Sequence, residues 1–556
     1  MNKVLKKILI ALFALVILVC VLLVLLTWSL KISPPIVSKA ETTTNLKLTK
    51  IGNTTYFGNS WLTQQQQGIW QLYVEGEGYE MGFANGILTK QLNQQQEAFF
   101  VKEINNKVPS KVYQWVLKVF VGWFNRNIND YIPLEYRKEI YGISQFASSK
   151  FDYIASPYQR LINYHAAHDI GHALQNMHLV ACTAVGAWGE YATDSSMYVG
   201  RNFDFYVGDD FAKEKIIAFV NPTHGNSFMS VTWGGMIGVL SGMNDKGLTV
   251  TLNADKSEIP DNSGTPVSII ARDILQYAST IDDAFAIAKK YQSFVSESFM
   301  IASAIDKKIA VIEKTPNKTF IYYPTENRIV CANHYQSDSL KGTNSNLENI
   351  QDSTSSYRQQ RVVQLLNAVP RHDQNTIASL LRNQNGMNGK PIGMGNPKAI
   401  NQLIAHHSII FNPYKKEVWV STAPYQLGKY NYYNLDSIFA NPIAKPALDT
   451  KNIAPDNFLY STDYKKFQAF KIESKRILAY IKGESNYFQM DPEKIEAFKN
   501  LNPNYFYTYE ILGDYFNKNK NSGSAKSYYL QALQHDMPSE TDRSNLKSKI
   551  ANLNQK

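Results

Sequence analysis

Residues 179–205 read LVACTAVGAWGEYATDSSMYVGRNFDF. Leu179, Val180 and Ala181 lead into Cys182 and Thr183, a small-residue turn follows, and Met197–Gly200 has the short apolar pattern of a strand. At its end stand Arg201, Asn202, Phe203 and Asp204. A lone buried cysteine is more often a small hydrophobe than a nucleophile. Arg201 and Asp204 change that reading, because charges within an apolar strand pair are costly unless paired and used. A guanidinium beside a thiol favours the thiolate, and a carboxylate can orient an amine.

Around this stretch, short strands continue to Thr251, with turns at Asn221-Pro222, Gly234-Gly235 and Asn244–Gly247. Helical spacing returns over Val267–Ala278 and Ile281–Ala288. Strands follow at Phe299–Ile305, Ala310–Ile312, Thr319–Tyr323 and Arg328–Ala332, then helices over 356–366 and 374–382, then strands at Ser408–Ile410 and Glu417–Ser421. Blocks of several strands alternating with blocks of helices predict an α+β fold of packed sheets with helices outside, not a βαβ repeat. Upstream, Gln71–Val74 reads as a strand and Tyr79 to about Val101 as one long helix. Residues 112–124 are apolar and too short to span a bilayer, so they read as a buried helix or one lying on a membrane surface. Gly386–Pro397 is glycine-rich but lacks the lysine-serine signature of a phosphate cradle.

With 44% hydrophobic residues, 19% charged, 27 Phe, 34 Tyr and 8 Trp, the 556-residue chain is neither disordered nor collagen-like. Three cysteines make no disulfide framework, and their spacing suits no zinc knuckle. The net charge of +10 does not point to nucleic acid, since residues 1–50 alone hold seven lysines and one acid. Ile8–Trp28 is an uncharged stretch long enough to cross a hydrocarbon core of ~30 Å. Lys3, Lys6 and Lys7 precede it. The expectation is a single-pass transmembrane anchor over residues 1–31, with the bulk of the chain on the extracytoplasmic (periplasmic) side of the cell membrane. A cleaved signal peptide is the rival, but Leu26–Leu30 offers no good small-x-small site.

Beyond about Pro446 strands give way to an all-helical region, 446–556. Tyr509, Leu512, Gly513, Phe516, Ala525, Tyr529, Ala532 and, one place late, Pro538 follow the spacing of a tetratricopeptide (TPR) repeat over about 506–539. That segment reads equally as a partner-binding module and as a helical cap on the body.

Ala181-Cys182-Thr183 followed by Gly200-Arg201-Asn202-Phe203-Asp204 resembles the nucleophile region of cysteine N-terminal-nucleophile (Ntn) hydrolases. It is most similar to the penicillin acyltransferase-like autoproteolytic group, and more distantly to bile-salt hydrolases and penicillin V acylases. Gly76–Gly82 with Gly86, Gly242–Leu248 with Asn253, Arg272, Asn333-His334, and Ser356 with Arg358 extend the resemblance over roughly residues 50–430. The resemblance implies a four-layer αββα sandwich of the Ntn-hydrolase type over 51–445, after a spacer at 32–50. It also implies autoproteolysis between Ala181 and Cys182, freeing an α-amine that takes the thiol proton. Asp204 would hold that amine, and Arg201 would act beside the thiol or on the substrate. Asn253 and Asn333 would donate to the oxyanion, and Arg358 would balance charge. Thr183, Asn202 and His334 would flank the site. The substrate implied is a small or lipid-like N-acyl amide; no cofactor and no metal is called for.

His165, His168 and His172 stand at helical spacing beside Asp169, but Gly171 weakens the helix and no HExxH pattern is present, so a structural role is preferred to zinc. His406 and His407 are expected on opposite faces of a strand. Two functions remain open: a membrane-anchored cysteine amidohydrolase or acyltransferase, and a catalytically inactive membrane-tethered scaffold that recruits a protein partner through its tail.

Overall fold

The computed structural model describes residues 6, 10, 12–14, 17, 29–38, 46–66, 68–166, 169, 181–205, 208–256, 263–442, 451–485 and 488–553. In chain order the strands are β1 (Thr49–Ile51), β2 (Thr54–Phe57), β3 (Ser60–Gln66), β4 (Ile69–Gly76), β5 (Thr183–Trp188), β6 (Met197–Phe203), β7 (Lys215–Pro222) and β8 (Phe228–Thr232). They continue as β9 (Ser241–Asn244), β10 (Leu248–Ala254), β11 (Glu297–Ser303), β12 (Lys308–Lys314), β13 (Thr319–Tyr322), β14 (Arg328–Cys331), β15 (His407–Asn412), β16 (Glu417–Ser421) and β17 (Tyr430–Asn434). One sheet has the order β1-β2-β3-β4-β7-β8-β9-β10-β11-β12-β13, the other β14-β5-β6-β15-β16-β17. β4 and β7 run parallel, from Ile69 opposite Lys215 to Gly76 opposite Pro222.

Alternation along the strands decides the layers. Ile217 and Phe219 of β7, with Met229, Met300 and Val311, face the second sheet and meet its Ala184, Val199, Ile409 and Phe411. Ile216, Ala218 and Val220 face the other way, into a core closed by helices Gly78–Leu88, Val267–Tyr277 and Ile281–Lys290. The outer face of the second sheet, with Val185, Tyr198 and Ile410, is covered by Ser355–Asn367 and Gln374–Leu381. The layers therefore run helix, sheet, sheet, helix.

The sequence predicts one helix over 79–101, but the structure divides it into Gly78–Leu88 and Lys90–Lys107. At the joint, Thr89 Oγ1 donates to the Asn85 carbonyl at 2.6 Å. Gly78, Gly82 and Gly86 form a stripe against helix Leu134–Ser144. A methyl group at Gly82 would lie 2.0 Å from the Glu139 carbonyl oxygen, so only glycine permits this approach. Helix Lys111–Phe124 forms, but it is not the buried helix expected: Val112 is 74% and Trp115 52% exposed, and Gly122 is its buried residue.

The tail contains helices Thr462–Lys482, Pro492–Leu501, Phe506–Lys518, Ser522–Ala532 and Glu540–Leu553. It is seated on the glycine-rich loop. Met394 N–H donates to Asn502 Oδ1 at 3.0 Å, Asn502 Nδ2 returns to the Met394 carbonyl at 2.8 Å, and Asn396 Nδ2 donates to the Asp536 carbonyl at 3.0 Å.

Among the described residues no helix is long and apolar enough to cross a membrane. A span needs ~20 consecutive apolar residues, whereas Lys90–Lys107 is rich in Gln and Asn and Thr462–Lys482 is studded with lysines. This overturns the expected transmembrane helix, and with it the single-pass membrane localisation, the extracytoplasmic placement and the tether to a membrane. Most of Ile8–Trp28 lies outside the described residues.

Candidate active site

β5 and β6 pair with Thr183 opposite Asn202, and just before the ladder the Ala181 N–H donates to the Asp204 carbonyl at 3.0 Å. Cys182 thus sits at the mouth of a strand pair, opposite Phe203. Arg201 crosses the seam between the sheets. Its Nη1 donates to the Leu240 carbonyl at 3.0 Å and to Ser241 Oγ at 2.6 Å, and its Nη2 donates to the Leu252 carbonyl and to Cys182 Sγ at 3.3 Å. Thr183 and Asn202 face the helices instead. Asn202 Nδ2 donates to the carbonyls of Leu381 at 2.8 Å and Ile400 at 3.0 Å, so it secures the strand end without touching the thiol.

Arg358, on helix Ser355–Asn367, gathers the other side of the site. Nη1 donates to the Cys182 carbonyl at 2.5 Å and to Thr183 Oγ1 at 2.7 Å, and Nη2 donates to Asn333 Oδ1 at 2.7 Å. Asn333 Nδ2 donates to the Ala254 carbonyl at 2.8 Å. Asn253 Nδ2 donates to the carbonyls of Cys331 and Ala332, both at 2.8 Å. The two asparagines are beside the site; Asn253 gives both amide hydrogens to backbone carbonyls and Asn333 gives one.

Cys182, Arg201, Asp204 and Asn253 have no exposed surface. Burial pushes the Cys182 thiol up to about 11; Arg201 and Arg358 pull it down, while Asp204 and Glu297 push it further up. Burial likewise lifts the Asp204 carboxyl to about 7 against the pull of Arg358 and Arg201. Among the described residues neither Asp204 side-chain oxygen has a hydrogen-bond partner.

His334 stands apart as a base. Its Nδ1 lies 2.7 Å from Ser355 Oγ, its Nε2 lies 3.0 Å from Gln359 Oε1, and burial lowers it to about 4. Arg272 joins Glu139 at 3.2 Å in the helical layer, outside this cluster. His165 Nδ1 lies 2.8 Å from the Leu161 carbonyl while Nε2 accepts from the Ile237 N–H at 3.0 Å, a structural histidine. His168 and His172 lie outside the described residues. Among the described residues no group of three or more His, Cys, Asp or Glu is arranged for a metal ion.

Several site residues carry no sequence signal. Gln402 Nε2 donates to the Ala181 carbonyl at 3.3 Å, on the bond expected to be cut. Glu297 at the head of β11 is fully buried, and burial raises its carboxyl well above the usual range. The expectation that His406 and His407 point apart is wrong. His406 precedes β15, which begins at His407, and the two Nδ1 atoms meet at 2.9 Å.

Residues 191–421 match the family model described as acyl-coenzyme A:6-aminopenicillanic acid acyl-transferase. The match includes Arg201, Asp204, Asn253, Asn333 and Arg358 and begins after Cys182. An uncharacterized protein of Archaeoglobus fulgidus is 26% identical over 277 residues, covering 46% of this chain and 45% of that protein. Protein dcd1B of Dictyostelium discoideum is 26% identical over 232 residues, covering 38% of this chain and 44% of that protein. The chain thus spans less than half the length of these curated relatives. Among solved structures, the Caenorhabditis elegans ortholog of N-acylethanolamine-hydrolyzing acid amidase shares 17% identity over 42% of this chain and 93% of that chain, with a TM-score of 0.30. A mutant of conjugated bile acid hydrolase from Clostridium perfringens shares 14% over 46% and 93%, with a TM-score of 0.31. The family match covers less than half of the chain, and over those residues the chain is similar to this acyl-transferase family.

Proposed function

We propose that the chain is a cysteine amidohydrolase or acyltransferase that cleaves carboxamide bonds of N-acyl compounds, activated by its own cleavage between Ala181 and Cys182. The observation that carries this reading is the Asp204 carboxylate. It is fully buried, both oxygens lack a partner among the described residues, and its own backbone carbonyl accepts the Ala181 N–H. A buried carboxylate without a partner is costly. Cleavage before Cys182 would create an ammonium at that position and supply one.

The remaining residues take roles that follow from their contacts. The freed α-amine, with an ordinary pKa near ~8, accepts the thiol proton. The thiolate, facing the Arg201 guanidinium, attacks the substrate carbonyl carbon. The tetrahedral oxyanion collapses, the C–N bond breaks, and the leaving amine departs with the proton that the α-amine took. Water then resolves the thioester to an acid, or a second amine resolves it to a new amide. Arg358 fixes the Cys182 carbonyl and Thr183. Asn253 and Asn333 become oxyanion donors once their amides turn from backbone carbonyls, and one well-aimed donor is worth ~3 kcal/mol. Gln402, hydrogen-bonded to the Ala181 carbonyl, polarises the bond to be cut. A cleft walled by Phe100, Phe205, Phe211 and Trp233 offers apolar surface to an apolar or lipid-like part of the substrate. In the tail we read the hairpin Phe506–Ala532 as a TPR-like repeat serving as a cap on the body.

The test is the size and N-termini of the purified protein. The reading expects fragments 1–181 and 182–556, the larger beginning at Cys182. Cys182→Ala should give one full-length band and no amidase activity. Cys182→Ser should cut itself slowly and turn over external amides poorly, because a hydroxyl is the weaker nucleophile. A wild-type chain that stays uncut and hydrolyses N-acyl amides at full rate would overturn it.

A further inference from the structure

The guanidinium at the thiol has a support of its own, running to two histidines that the chemistry above leaves unused. Ser241 Oγ, 2.6 Å from Arg201 Nη1, lies 2.9 Å from His407 Nε2, and His407 Nδ1 lies 2.9 Å from His406 Nδ1. Cys182, Arg201, Ser241, His407 and His406 all have no exposed surface. We propose that His407, braced by His406, is a positioning residue for the thiol: through Ser241 it fixes the Arg201 guanidinium so that Nη2 stays on Cys182 Sγ. This rests on Cys182 being the nucleophile and goes beyond that reading by naming what aims Arg201.

Among the described residues no carboxylate pairs with Arg201, and its Nε has no partner. The group is held by two backbone carbonyls, one hydroxyl and the thiol. Leu252 lies in β10 and Leu240, just before β9, accepts the Leu252 N–H at 3.1 Å, so both carbonyls are fixed by the backbone, but a serine hydroxyl rotates. A guanidinium can only donate, so Ser241 Oγ accepts from it and has its own O–H left to give. Among the described residues His407 Nε2 is the acceptor within reach. His407 then carries its proton on Nδ1 and donates to His406 Nδ1, which places the His406 proton on Nε2. In the reverse register His407 would donate to Ser241, and the hydroxyl hydrogen would have no acceptor. Donation therefore runs one way, from Arg201 to Ser241 to His407 to His406.

The charged groups facing the pair are Arg201 and Lys215, and these, after burial, keep both rings neutral. The thiol is faced by Arg201, Arg358, Asp204 and Glu297. The relay thus contributes aim rather than charge. It has a cost: among the described residues His406 Nε2 is buried without a partner, in a ring whose centroid lies 5.2 Å from that of Trp233 and 5.8 Å from that of Phe211. Phenyl rings would fill this aromatic nest without stranding a nitrogen, so space-filling does not account for two imidazoles.

The thiol's titration reads the relay directly, followed by ultraviolet thiolate absorbance of the purified protein, both fragments together where it is cut, minus that of Cys182→Ala. His407→Phe keeps the bulk and removes the acceptor. It should raise the titration midpoint by ~1 unit, a tenfold loss of thiolate below it, and lower kcat by about the same factor with KM within ~2-fold. His407→Gln returns an amide to the Nε2 position and should restore both. A titration unmoved in His407→Phe, or moved equally in His407→Gln, overturns the proposal. Should His407→Phe fail to fold, Ser241→Ala removes only the bridging hydroxyl; the same upward move supports the relay and an unmoved thiol overturns it. The titration needs no substrate, so its failure leaves Cys182 as nucleophile standing. Retained turnover in Cys182→Ala would instead remove the functional reading.

Discussion

At Asp204, burial holds the carboxyl up to about 7 in the folded chain, whereas an unfolded chain releases that proton near ~3.9. Between those values the folded state binds the extra proton. Stability from this group is therefore full below about pH 4 and is lost as pH rises through about 7. In the uncut Cys182→Ala background, Asp204→Asn should gain on its parent as pH goes from 4 to 8, by roughly 2–4 kcal/mol. Urea unfolding at the two pH values measures it, and a constant gap would mean that the carboxylate is not desolvated in the uncut chain. Arg201 and Asp204 could be picked out beforehand because charges at an apolar strand end are conspicuous. Gln402 could not, since a glutamine distant in sequence looks like any other until the fold brings it to the Ala181 carbonyl. The histidine pair was misjudged for a physical reason: the two-residue period holds only inside a strand, and His406 lies one residue before it.

The glycine stripe on helix Gly78–Leu88 makes its own prediction. Gly82→Ala would drive a methyl into the Glu139 backbone carbonyl, which cannot rotate aside as a side chain would. We expect the pair Gly78–Leu88 and Leu134–Ser144 to separate, costing ~1–3 kcal/mol, seen as faster proteolysis within residues 78–144. In the tail, a Cβ at Gly513 would fall 2.3 Å from the Tyr529 ring. Gly513→Leu should therefore loosen Phe506–Lys518 from Ser522–Ala532, at a similar ~1–3 kcal/mol; unchanged tail proteolysis and unfolding would refute the seam. The tail seam was readable from small residues at repeat spacing, whereas Gly78, Gly82 and Gly86 stood out only through the family resemblance. The break at Thr89 was not, because its cause is a threonine hydroxyl turned back on Asn85, which leaves the apolar pattern undisturbed. The exposure of helix Lys111–Phe124 also escaped, since apolar content alone does not say which neighbours will cover it.

The larger sheet is built from both sides of the proposed cut. β1 to β4 precede Cys182, and β4 lies in parallel register on β7 from Ile69–Lys215 to Gly76–Pro222. Trp61 Nε1 also donates to the Pro442 carbonyl at 2.6 Å, across the two parts. Fragments 1–181 and 182–556 should accordingly elute as one particle on a native sizing column and part only in denaturant. Separation in native buffer would contradict this arrangement. Packed sheets with helices outside were legible because blocks of strands alternate with blocks of helices, and the four layers came with the resemblance; the order of strands was not legible, because β4 pairs with a strand 146 residues later and local periodicity contains nothing of that distance. The β4–β7 ladder also bears on what the protein can do twice. While the chain is continuous, β4 finds β7 as a tethered neighbour, at an effective concentration set by the intervening segment. Once the bond is broken, the same ladder must be rebuilt by collision between two polypeptides, and recovery from unfolding becomes a second-order process that fails on dilution. Maturation would then be a one-way passage, with the folding instructions spent at the moment the enzyme becomes active.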